Sequence, residues 1–134
     1  MSTLPTTGPA VTPELGYGNA RQAIQWLTEV LGFEQGLTIE GPDGSVAHAE
    51  LWWHAGAVFV ESMEPGGSGV HRGQAAVCLA GESNAEVDSA YERVEASGAK
   101  IVSELADTPF GSHQFAVRDP QGNMWTVGTY VPRL

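Results

Sequence analysis

His48 and Glu50 stand two residues apart in an alternating run, Val46-Ala47-His48-Ala49-Glu50-Leu51-Trp52-Trp53. In an extended strand that spacing puts imidazole and carboxylate on the same face. With Glu61 brought in from a neighbouring strand, the set has the donor types of a divalent metal site, and either carboxylate could do acid–base work if desolvation raised its pKa. The plainer reading of His48 and Glu50, and the one favoured here, is a polar lining without metal. The remaining histidines are His54 in a turn, His71 in a Gly-rich joint and His113 where a loop enters a strand. All three read as surface positions. Ser103, Ser112 and His113 show no nucleophile–base spacing, and Gly66-Gly67-Ser68-Gly69 lacks the Lys and helix start of a phosphate loop. Cys78 lies in an apolar run with no basic neighbour and reads as a buried structural thiol.

The elements that must hold these groups repeat. Shifting the chain by 66 residues superposes Glu29 on Glu95 and Gly32 on Gly98. Ala20, Ala23, Ile24, Leu27, Val30 and Leu31 fall on one helical face, and Val87, Ala90, Tyr91, Val94 and Ser97 on another. Asn19 caps the first helix and Ser83 or Asn84 the second, and each helix ends at a glycine. A strand precedes each helix (13–17 and 75–80) and three follow it (37–40, 46–53, 57–62; then 100–104, 112–118, 124–130). The order is βαβββ twice, an α+β fold in one domain spanning 1–134. Module one covers about 11–62, a Gly-rich joint about 63–73, and module two about 74–132. A sheet whose one face carries a helix leaves its other face open, and two such modules can line a cup.

The chain carries a net charge of −10, which argues against nucleic acid, whose binding needs clustered cations, and suits a cationic ligand or simple solubility. The Ser/Thr/Pro/Gly-rich start reads as loose and not as a secretory signal, and no apolar run approaches the roughly 20 residues of a membrane span. A single cysteine leaves no internal disulfide and fits a reducing cytoplasm.

Pro13-Glu14-Leu15-Gly16-Tyr17, Leu31-Gly32-Phe33, Ser97-Gly98-Ala99, Asp107-Thr108-Pro109-Phe110-Gly111 and Asp119-Pro120-Gln121-Gly122-Asn123-Met124-Trp125, set in the duplicated order, resemble the vicinal oxygen chelate superfamily, the glyoxalase/bleomycin-resistance group. The resemblance implies a cupped mixed β-sheet, a homodimer and a small-molecule ligand, in a superfamily that hosts lyases, isomerases, dioxygenases and drug-binding proteins. It also implies metal ligands on the first and last strands of each module. Those places fall at Thr126, at Phe59 (or Val58 or Val60 on a one-residue slip), near Thr12 and Pro13, and among Gln74, Ala76 and Cys78. No imidazole or carboxylate stands there, so no metal and no other cofactor is expected.

Alternation assigns the cup. His48, Glu50, Trp52, Phe59 and Glu61 share it with Gln114, Arg118, Met124 and Thr126, and Phe110 sits in a loop able to act as a lid. Ala47, Ala49, Leu51 and Trp53 point to the helix side, as do Phe115, Val117, Trp125 and Val127. Trp26 reads as core-edge or dimer packing, and Arg118 as a partner of Glu50 or an anchor for a ligand carboxylate. The reading is a metal-independent binder of an antibiotic or metabolite. The alternatives are an enzyme of the same superfamily, with displaced metal ligands or metal-free acid–base catalysis, and an interaction module with a filled cup.

Overall fold

Each helix start is set by one side chain. Asn19 Oδ1 accepts the Gln22 N–H at 3.0 Å and Ser83 Oγ the Glu86 N–H at 3.1 Å, each satisfying a donor the first turn leaves unpaired. The computed structural model describes residues 8–63 and 75–132. His71, Gln74 and nearly all of the Gly-rich joint lie outside these.

The first repeat runs β1 (Glu14–Tyr17), α1 (Ala20–Trp26), β2 (Glu34–Glu40), β3 (Val46–Trp53) and β4 (Gly56–Ser62). Its sheet is ordered β1-β4-β3-β2, with β1 parallel to β4 and the other neighbours antiparallel. The second runs β5 (Ala76–Ala80), α2 (Asn84–Ser97), β6 (Lys100–Asp107), β7 (His113–Arg118) and β8 (Met124–Gly128), ordered β5-β8-β7-β6 with β5 parallel to β8. The fold is therefore α+β, two βαβββ units each built on a mixed four-stranded sheet. By packing, residues 25–32 group with the second unit and the rest of the first repeat forms the first.

The helical faces read from the periodicity are buried, with one difference in form. α1 stops at Trp26, and Leu27–Leu31 widen into a π turn closed by Gly32 at φ 85°. Thr28 Oγ1 bonds the Gln25 carbonyl at the entry to that turn, and Arg93 Nε donates to the Val30 carbonyl at 2.9 Å. The wide turn buries Leu27, Val30 and Leu31 together. In the second unit Val87, Ala90 and Val94 are buried, Tyr91 is tilted against Phe115 at 5.1 Å, and Ser97 stays exposed, its hydroxyl turned back to the Val94 carbonyl.

Strand alternation holds in the centre of each sheet and fails at its edges. Ala49, Leu51, Val58 and Val60 close one face of the first sheet, and Phe115, Val117, Trp125 and Val127 are fully buried in the second. The edge strands β2 and β6 run longer than the pattern suggested because register shifts break their alternation. At the start of β3 the expected order reverses, with Val46 buried and Ala47 exposed, beside the shift between Ile39 and Glu40. Cys78 is also a correction. It is exposed, not buried, because alternation puts it with Ala76 and Ala80 opposite Leu79.

The β7–β8 turn is held by Asp119. Its Oδ1 accepts the N–H groups of Gln121 and Asn123 at 3.0 and 3.1 Å, and its Oδ2 accepts Trp125 Nε1 at 3.0 Å. Asn123 Oδ1 accepts the Ala75 N–H at 2.7 Å, tying the turn to β5. Asp119→Ala strands a buried indole N–H and two turn donors, so stability in urea denaturation should fall by about 2–4 kcal/mol. A loss below about 1 kcal/mol would mean that water replaces the carboxylate.

Candidate functional site

On the first sheet the residues read as cup-lining do share a face. Glu50 is the register partner of Phe59, and Trp52 of Ala57, so His48, Glu50 and Trp52 stand beside Phe59 and Glu61. His48 Nε2 lies 2.9 Å from Glu50 Oε2, with both side chains 28% exposed. The His48 and Phe59 rings are tilted at 56° with centroids 4.7 Å apart. Trp52 leans over β2, where a Cβ on Gly36 would stand 3.0 Å from its Nε1, so any larger residue there would push the indole aside. Glu61 is buried.

Glu14 was missed by the sequence reading. It is the register partner of Phe59 across the parallel β1–β4 pair. Phe59 therefore stands in a cross-strand row between Glu14 and Glu50. Alternation along 13–17 was the signal available, since it puts Glu14 and Gly16 opposite buried Leu15 and Tyr17.

On the second sheet Gln114, Arg118, Met124 and Thr126 again share one face, each half-buried, with Ala116, Ala76 and Cys78 between them. Arg118 Nη1 donates to the Gly122 carbonyl at 2.8 Å, so the turn itself orients the guanidinium. Phe110 is exposed and packs edge-on against Tyr130 at 5.6 Å.

His113 is more than the surface residue expected. Its Nδ1 lies 2.8 Å from Asp107 and its Nε2 2.6 Å from Asp88 of α2. A neutral imidazole donates from one nitrogen only, whereas the imidazolium serves both carboxylates. Its pKa is raised above 6.5, first by the hydrogen bond to Asp88, then by that to Asp107, against an opposing effect of burial. Alternation along β7 sets His113 on the side of Phe115 and Val117, but Asp88 could be matched to it only in space.

The register also locates the positions at which metal ligands would stand. Glu14 pairs with Phe59 and Cys78 with Thr126, while the hairpin partners are Glu50 and Ala116, so Phe59 and Thr126 occupy matching places in the two repeats. The one-residue ambiguity resolves on Phe59. Of the residues at these paired places only Glu14 offers a carboxylate, and a phenyl ring at Phe59, a hydroxyl at Thr126 and a lone thiol at Cys78 do not complete a His/Glu donor set. Nor do His48, Glu50 and Glu61 form a three-ligand cluster among the described residues. The residues at these positions do not fit the divalent site.

A duplicated βαβββ fold with one polar face per sheet defines the class. The chain belongs to the Glyoxalase/Bleomycin resistance protein/Dioxygenase superfamily, whose family model matches residues 10–127. It is similar in structure to TioX from Micromonospora sp. ML1, at 31% identity and a TM-score of 0.76, covering 92% of this chain and 100% of that one. Lactoylglutathione lyase from Agrobacterium tumefaciens shares the fold at 23% identity and a TM-score of 0.66, covering 90% of this chain and 93% of that one. An uncharacterised protein of Mycobacterium tuberculosis is 27% identical over 129 residues, covering 92% of this chain and 75% of that protein. Superfamily members often bind metals, and proteins of this fold typically bind small molecules and form dimers. Among the described residues no helix is long and apolar enough to cross a membrane.

Because the folded state holds the His113 proton more tightly than the unfolded chain, the bridge contributes fully below pH 6.5 and its contribution is lost as pH rises through the raised folded pKa. The melting temperature, scanned from pH 6 to 9, should fall more for the native chain than for His113→Gln. Parallel curves for the two would show that His113 is neutral in the fold.

Proposed function

We propose that this protein is a metal-independent binder of a small organic molecule bearing a flat cationic group, an antibiotic or metabolite, held on the His48–Phe59 face of the first sheet. The observation that carries this reading is the row Glu14–Phe59–Glu50. An aromatic face flanked by two carboxylates attracts a cation through the ring quadrupole and through direct charge. Trp52, half-buried on the same face, extends the apolar wall. The net charge of −10 raises the local concentration of a cation at long range. Membership of a superfamily whose proteins typically take small molecules supports the reading, and the poor fit of Phe59 and Thr126 to metal ligation supports its metal independence.

The His48–Glu50 pair favours a second reading as an acid–base enzyme. A carboxylate accepting from Nε2–H orients the ring and leaves Nδ1 able to take a proton from a bound substrate. Recovery of a bound compound unchanged after prolonged incubation, followed by mass spectrometry, separates a binder from this enzyme.

Titration with N-methylacridinium, followed by tryptophan fluorescence, should saturate equally with and without chelator. Phe59→Ala and Glu50→Gln should each weaken binding roughly 3- to 30-fold. The reading fails if the dye binds only when metal is added, or if neither substitution changes its affinity.

A further inference from the structure

The second unit carries a groove of about 430 Å³ that the site above does not use, lined in part by Trp26, Gly98, Lys100, Arg118, Asp119 and Pro120. That size falls within the roughly 300–1,000 Å³ range of small-ligand pockets. Lys100 and Arg118 are register partners on β6 and β7, so their side chains leave the sheet side by side.

Neither forms an ion pair among the described residues. Of the cations in the described residues, Arg21 is paired with Glu40 and bonds the Gly44 carbonyl, and Arg93 is engaged by the Val30 carbonyl. Arg118 gives one N–H to Gly122, which fixes its plane and leaves other donors of its fork unused. Lys100 has no partner among the described residues. The carboxylate in the lining, Asp119, is buried, and the Gln121, Asn123 and Trp125 N–H groups already occupy its oxygens. Its oxygens are therefore bonded to its own turn, and its negative charge only partly offsets the two cations. In a chain of net charge −10, a site that favours an anion has to be local, and this groove meets that condition.

We propose that this groove binds a small planar carboxylic acid, its carboxylate between Lys100 and Arg118 and its ring against Trp26 and Pro120. The guanidinium fork suits a carboxylate and the ammonium adds a point charge. The ligand class is opposite in charge to that proposed for the His48–Phe59 face, and the two sites share no residue. The α2 C-terminus presents carbonyl groups near the same rim, and Lys100 could alternatively serve only to complement that helix dipole.

Benzoate and 2-naphthoate titrated into the ¹⁵N-labelled chain test this. The amides of Gly98, Lys100 and Gly122 should shift and saturate, with a Kd on the order of 1 mM for benzoate and tighter for the larger ring. Lys100→Gln should weaken binding about tenfold, and Arg118→Lys, which keeps the charge but loses the fork, should weaken it as well. Phe59→Ala should leave the carboxylate titration unchanged, so failure of the cation site does not affect this test. Absence of saturation below about 20 mM would overturn the proposal. So would shifts confined to the first sheet, or a Lys100→Gln variant that loses stability while binding benzoate as before, which would leave Lys100 as a helix-dipole partner only.

Discussion

A single buried carboxylate organises the second unit. Asp119 accepts two backbone donors of its own turn and the indole N–H of Trp125, the largest of the fully buried side chains. A charged acceptor at that point is stable because every lone pair aimed inward meets a donor. The turn it closes joins β7 to β8, and β8 lies between β5 and β7, so three of the four strands take their register from it. Asn123 extends the same turn to β5 through the Ala75 N–H. The Gly122 carbonyl that orients Arg118 also belongs to this turn, which links the most buried part of the unit to the rim of its groove.

Both units solve the same problem with the same geometry and end with different chemistry. In each, one face of the sheet closes over β-branched and aromatic side chains, and period-two alternation delivers every other residue to the opposite face. On the first sheet that face holds Glu14, Glu50, Glu61, His48 and Phe59. On the second, the matching strands hold Cys78, Thr126, Ala116 and Met124. An acidic aromatic surface and one whose charge comes from Arg118 thus arise from one repeated frame. Function in this superfamily resides in such substitutions, because the frame tolerates almost any side chain that points away from its core.

The His113 bridge shows how charge is also used for cohesion. Asp88 of α2, Asp107 at the end of β6 and His113 at the start of β7 come from three elements, and the imidazolium joins them through both nitrogens. The 107–112 turn that follows is closed by Thr108, whose carbonyl and hydroxyl accept from Gly111 and Ser112. Phe110 at its tip rests on Tyr130.

The repeat, the helix caps, the central strands and the split of residues between core and open face are legible in the sequence. All of these follow from local periodicities and from turn and capping side chains, which act within a few residues. The sequence by itself did not determine the π turn after Trp26 or the reversed order of Val46 and Ala47, since packing and register shifts override local pattern. The tertiary structure alone decided that Glu14 stands beside Phe59, that His113 meets Asp88, and that Lys100 stands beside Arg118. Each is a contact between elements distant along the chain, and no spacing rule within one strand or helix encodes which residue faces which across a sheet.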